Sequence, residues 1–224
     1  MDVRNIVNRL IDDIANGTSV SQILLKAQII AYNIGDEKFS NLIECEQQGY
    51  SPNDEIPDYR KLKTMVKATF VGPFGKLQTV EVHSEAVEDK RIRDLLDFVE
   101  IREPLIQVEA MYNNAESSMM RMQLPVFAYS TIKEMYDSNG FEVHSANHCF
   151  PKESLLTIVE TFKAKLLDSL LQFNDKLDWD MELTADKNKN LAKTIINNVY
   201  NIHATVANMG DGNVETQDIS LTRQ

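Results

Sequence analysis

The chain has only two cysteines, Cys45 and Cys149, far apart and without paired spacing. That excludes a disulfide scaffold and leaves two free thiols, as expected in a reducing compartment. No stretch approaches the ~20 consecutive apolar residues that a membrane span needs. The start, Met1-Asp2-Val3-Arg4-Asn5, lacks the basic opening and apolar run of a secretory signal, so a cytoplasmic protein is expected. Positive charge is scarce: 23 Lys and Arg stand against 34 Asp and Glu, a net charge of −11. Such a chain repels phosphate and anionic membrane surfaces unless it carries a local basic patch, so nucleic acid is an unlikely partner. Chemistry-bearing motifs are missing as well. There is no Gly-rich phosphate loop, no Ser–His–Asp order and no metalloprotease helix, and no solenoid-length repeat.

What is present is ordinary globular material. The 224 residues are 43% apolar and 25% charged, enough for one large domain with a real core, or one domain and a small appendage. Val3, Ile6, Val7, Leu10, Ile11 and Ile14 recur at helical steps, and Asn16-Gly17 closes that helix. A second helix is expected through Val20, Ile23, Leu24, Ala27, Ile30 and Ala31, ending at Ile34-Gly35-Asp36. A third carries Phe39, Leu42 and Ile43 and stops at Gly49. Short connections make these three neighbours around one core.

The period then changes. Lys61 to Val71 alternates as a strand with one buried face, and Gly72-Pro73-Phe74-Gly75 turns it into a second strand over Leu77–His83. Helix is expected from Asp89 to Glu100, with a restart at Pro104. A short helix follows Gln123-Leu124-Pro125, then a strand over Phe141–Phe150 and a long helix from Lys152 to Lys176. The polar run 178–190 reads as a linker. Residues 191–224 read as an Asn-rich β tail, with Tyr200, Ile202, Ala204 and Val206 on one face. The expectation is an α+β protein: an N-terminal helical bundle on a small, mainly antiparallel sheet over 1–177, with the tail as a self-assembly segment. Unpaired apolar strands invite pairing with another copy, and Asn side chains ladder well in such sheets.

Several of these segments together resemble the AbiTii family of bacterial abortive-infection proteins. They are Leu24-Leu25-Lys26-Ala27-Gln28-Ile29-Ile30-Ala31, Ile34-Gly35-Asp36-Glu37, the helix end Glu46-Gln47-Gln48-Gly49-Tyr50, and Ile56-Pro57-Asp58-Tyr59-Arg60. Gly140-Phe141-Glu142-Val143 and the helix over Ile158–Asn174 are similar to the family's closing strand and long helix. The resemblance spans most of residues 20–176 and implies a role in disabling an infected cell before phage mature. It carries no catalytic residues across.

Glu46, Gly49, Tyr50, Asp58, Tyr59 and Arg60 are the candidate site, a structural or partner-binding corner. Arg60 has a carboxylate to pair with in Glu44, Glu46 or Asp58, because its planar fork bonds carboxylates bidentately. The same three acids at Mg²⁺ would be a nuclease-like alternative. His144 and His148, four apart in a strand, and Cys149 are the nearest approach to a metal cluster, with His83 as a further ligand; the favoured reading is plain surface or core histidines. Cys45 sits between Glu44 and Glu46, whose charge opposes a reactive thiolate. Lys61, Lys63 and Lys67 form a stripe that reads as a solvated strand edge rather than a polyanion dock. No cofactor or metal is expected and no catalytic residue stands out. The expectation is a self-assembling interaction protein of phage defence, sensor or effector. Its partners would be further copies through Tyr200, Ile202 and Val206, and a phage-derived or neighbouring-gene protein. The alternative is an enzymatic effector, a nuclease or nucleotide hydrolase.

Overall fold

A computed structural model describes residues 2–136, 140–181 and 185–200. Its first three helices fall where the apolar periodicity put them: α1 over Val3–Ala15, α2 over Val20–Ile34 and α3 over Glu37–Gln48. Asp2 and Asp36 cap α1 and α3, their carboxylates accepting the Asn5 and Phe39 backbone N–H at 3.3 and 2.9 Å. An ion pair between Lys26 and Asp13 ties α2 to α1.

The strand expected over Lys61–Val71 is two strands. The first, β1 (Lys61–Lys63), breaks off at Thr64, and β2 (Met65–Val71) continues into a different sheet. Strand β3 (Leu77–Val82) returns through the expected turn, whose tip holds Phe74 fully exposed at φ 61°. The helix expected over 89–100 ends early: α4 covers Lys90–Asp97, and Phe98–Glu100 is a strand, β4. Two features explain this correction. Phe98 and Val99 favour extended backbone. The edge of β1 also needs a partner, and β4 supplies it antiparallel with Lys61 opposite Glu100 and Lys63 opposite Phe98.

Helix α5 (Leu105–Asn114) follows Pro104, then β5 (Met119–Gln123), α6 (Ala128–Met135), β6 (Glu142–Pro151) and α7 (Glu153–Lys176). The sequence reading had no strand at β5. Its Met-rich, single-Arg sequence lacks the β-branched residues that mark a strand. It forms because β6 offers an open edge, pairing Met120 with Phe150 and Met122 with His148. The four-stranded sheet runs β3-β2-β6-β5, all neighbours antiparallel. Lys67 therefore sits on an interior strand rather than at an edge, and its side chain is exposed on the sheet face.

The C-terminal reading needs the largest correction. Residues Asp186–Tyr200 form a helix, α8, so the expected linker ends before Asp186 and the first ten residues of the expected β tail are helical. Leu191, Ala192, Ile195, Ile196, Val199 and Tyr200 recur at three and four residues. That is a helical face, and it prevailed over the two-residue alternation that begins near Tyr200. Asn188 pins the preceding segment: its amide donates to the Asp178 carbonyl at 2.8 Å, and its Oδ1 accepts the Asp178 N–H at 2.9 Å. Lys165 caps the far end, donating to the Val199 carbonyl at 2.5 Å. Ile202 and Val206 lie outside the described residues.

Two cores result. The larger joins α1, α2, α3, α5, α7 and α8 and includes Phe39, Phe162, Phe173 and Ile196, with Phe39 and Phe173 edge to face at 6.1 Å. The smaller lies between the four-stranded sheet and helices α4 and α6, around Val66, Phe70, Leu96, Ile132 and Ala146. No helix among the described residues is long and apolar enough to cross a membrane.

Because α8 contributes buried Ala192, Ile195, Ile196 and Tyr200 to the larger core, Ile196→Ala should cost about 2–5 kcal/mol by leaving a cavity. Truncation after Tyr200 should leave the melting transition intact, whereas truncation after Asp186 should lower it sharply. Thermal unfolding followed by circular dichroism checks all three; an α8 deletion that melts like the full chain would contradict the packing.

Candidate functional site

The last turn of α3 aims Glu46 inward, and Gly49 then reverses the chain at φ 92°. A Cβ at Gly49 would stand 2.9 Å from the Arg102 carbonyl oxygen and 3.1 Å from Pro104, so only glycine fits. The reversal lets the Tyr50 N–H reach the same Arg102 carbonyl at 2.8 Å. A single helical turn over Asp58–Arg60 then delivers Tyr59 and Arg60 to the buried carboxylate.

Glu46 and Arg60 both have no solvent-exposed side-chain surface. Glu46 Oε1 accepts from the Tyr50 hydroxyl at 2.6 Å, the Tyr59 hydroxyl at 2.7 Å and Arg60 Nε at 3.2 Å. Its Oε2 accepts from Arg60 Nη2. The remaining guanidinium nitrogen, Nη1, donates to the carbonyls of Ile101 at 3.2 Å and Glu103 at 2.8 Å, and the Tyr50 ring lies under the guanidinium at 5.2 Å. Burial disfavours the Arg60 cation, but the Glu46 carboxylate outweighs it and the pKa is raised. Burial, reinforced by Glu46, pushes the Tyr50 and Tyr59 hydroxyls well above their ordinary range, so both stay protonated donors. Tyr200 is also raised, by burial first and then by Glu46, which places the end of α8 within electrostatic reach of the corner.

Five of the six residues named from the sequence therefore meet: Glu46, Gly49, Tyr50, Tyr59 and Arg60. Asp58 does not; it is exposed, and its ion pair among the described residues is with Lys61, at 3.9 Å. Glu44 is exposed as well, so of the three candidate carboxylates Glu46 is the one that Arg60 takes. Glu46 has no solvent-exposed surface and spends three hydrogen bonds on Oε1 and one on Oε2, with the Arg60 cation against it, so it is committed to the corner rather than open to a metal or a substrate. The nuclease-like grouping of Glu44, Glu46 and Asp58 is not assembled. Tyr200, expected in an oligomer contact, is a core residue beside the corner.

The histidines part company. A register shift between Thr69 and Phe70 puts a bulge in β6 at His144, breaking the alternation. His144 is left exposed while His148 is 3% exposed, its Nδ1 hydrogen-bonded to Thr64 Oγ1 at 2.7 Å. Burial lowers the His148 pKa, holding the ring neutral near neutral pH. Cys45 is raised by burial first, then by Asp54, Glu44 and Glu46, as expected for an unreactive thiol. Among the described residues no three His, Cys, Asp or Glu side chains are grouped to hold a metal ion.

His148 matters for another reason. It lines a cleft of about 860 Å³ enclosed by α4, the β1–β4 pair and the edge of β5 and β6. Leu95, Phe98, Val99, Met122 and Pro125 give the cleft apolar walls. Lys61, Lys90 and Arg91, with Asp58, Asp94 and Glu100, supply its charge. Of these, only Lys61, Asp58 and His148 stand out as candidate site residues in the sequence. The adjacent cations Lys90-Arg91, directly after the Asp89 helix cap, were the available signal for the rest.

The fold and the corner define a class: a small α+β protein whose helical and sheet layers are joined by a buried Glu–Arg pair and its tyrosines. The AbiTii family model matches residues 5–200, and the chain belongs to the AbiTii family. Family membership suggests a role in abortive infection, a form of phage defence. Neither the curated proteins nor the solved structures searched contain a match to the chain.

Removing one partner of the buried pair, as in Glu46→Ala or Arg60→Ala, should cost about 3–5 kcal/mol, because it strands the other charge. The double substitution Glu46→Met/Arg60→Met should cost less than the sum of the two. Urea unfolding of the three variants measures this. A second expectation concerns pH. The folded-state pKa of His148 is lowered, so its contribution to stability is complete above the ordinary histidine value of about 6.5. That contribution is lost as pH falls below 6.5 towards the lowered folded value. His148→Gln should flatten stability across this window relative to the unmodified chain, as read by denaturant midpoints at pH 7.5 and 5.5.

Proposed function

We propose that the protein acts in the bacterial cytoplasm as a self-assembling interaction protein of abortive infection, sensing infection or carrying out its effect through contacts with other proteins. One observation carries this reading. The charged and tyrosine side chains that look most like a site are consumed inside the fold, so the Glu46–Arg60 segment holds the domain together and leaves recognition to other surfaces. Self-assembly is assigned to residues 201–224 and rests on their apolar–polar alternation, with Ile202 and Val206 as the contact residues in place of Tyr200. The partner is a phage-derived protein or the product of a neighbouring gene. Multivalent display would strengthen weak contacts with that partner without a large interface.

The enzymatic alternative is favoured by one feature, the cleft with neutral His148 in its wall, since a neutral imidazole is a competent acid–base group.

Phage plating and growth curves, with sedimentation of the purified proteins, separate the readings. Cells expressing the full chain should resist phage or arrest on infection. The chain truncated after Tyr200 should stay folded, sediment as a smaller species and lose protection. Protection that survives this truncation would sink the assembly reading. Protection lost in His148→Gln with assembly unchanged would favour the enzymatic one.

A further inference from the structure

We propose that the cleft between α4, β4 and the β5–β6 edge is a mononucleotide-binding site. This goes beyond the interaction reading and does not depend on it. At about 860 Å³ the cleft is within the size range of small-molecule and cofactor sites. Its chemistry is graded in a way that suits a nucleotide. Val99, Met122 and Pro125 offer an apolar lining, and Phe98, 40% exposed, leaves an aromatic side chain available to a planar base. His148 is almost wholly buried and its Nδ1 is taken by Thr64. Among the described residues no hydrogen bond engages its Nε2, which is the atom left to read the edge of a base.

The rim supplies what the other half of such a ligand needs. Lys90 and Arg91 are exposed and make no ion pair among the described residues, and Lys61 is held only loosely by Asp58 at 3.9 Å. Two cations side by side with no internal partner suit a phosphate, and Arg91 can take it bidentately. Asp94, one turn along α4 from Lys90, is an acceptor for ribose hydroxyls. The protein's net charge of −11 opposes a nucleic-acid strand, whose many phosphates would all be repelled. A single nucleotide places its phosphate among these local cations and its base against the apolar wall.

The test is isothermal titration calorimetry of the purified full chain with the four common ribonucleoside monophosphates, inorganic phosphate and the unphosphorylated nucleosides. At least one monophosphate should bind, and more tightly than either its nucleoside or inorganic phosphate. Lys90→Ala/Arg91→Ala should weaken binding about tenfold or more, since the loss of even one charge-assisted hydrogen bond is worth that much. Phe98→Ala should weaken it similarly. All three side chains are exposed, so the variants should fold, which circular dichroism confirms. Lys193→Ala, an exposed cation on α8, should bind like the parent. The proposal is overturned if no monophosphate binds at millimolar concentration, if inorganic phosphate binds as tightly as the nucleotide, or if the Lys90/Arg91 variant binds unchanged.

Discussion

The buried pair of Glu46 and Arg60 is the contact on which the rest of the architecture depends. Neither charge has any access to water, and a lone buried ion of either kind would be unsupportable. The pair is tolerated because nearly every polar atom finds a partner: two tyrosine hydroxyls complete the carboxylate, and two backbone carbonyls complete the guanidinium. Those partners come from four separate stretches of chain. The end of α3, the reversal at Tyr50, the turn at Asp58–Arg60 and the segment after β4 are fixed relative to one another by a single network.

That network sets the position of the candidate cleft. Arg60 immediately precedes β1, and the carbonyls it binds, of Ile101 and Glu103, lie within three residues after β4. The backbone continues the tie, with the Ile101 N–H donating to the Arg60 carbonyl at 2.9 Å. One end of the β1–β4 pair is thus clamped to the helical layer. The other end is held by the Thr64 N–H on the Asp97 carbonyl at 2.8 Å, and Thr64 in turn orients His148. The cleft wall is therefore hydrogen-bonded in place at both ends, while the charged residues of α4 line its mouth.

The helices α1 to α3 were legible from the sequence because their apolar residues keep a helical period between clear caps, and α7 because its stripe is long. The α+β class followed from the change of period at Lys61. The corner was legible in part: the glycine, the tyrosines and the arginine announced themselves, but three acids competed for Arg60 and only burial chose Glu46. Strand β5 was hidden because a Met-rich segment becomes a strand through its neighbour, not its own propensity. Helix α8 was misread because Tyr200, Ile202 and Val206 alternate while Ile195, Ile196, Val199 and Tyr200 step helically, and one residue belongs to both patterns. The cleft was not visible, since it is assembled from residues between Asp58 and His148 that only the fold brings together.

Hydrogen exchange read by mass spectrometry, comparing the unmodified chain with Glu46→Gln, tests the central role of the pair most directly. The account predicts a joint loss of protection in the end of α3, residues 50–60 and the β4 segment through Glu103, because one network holds them. Loss confined to the turn of helix around residue 46, with β4 and residues 50–60 unchanged, would contradict it.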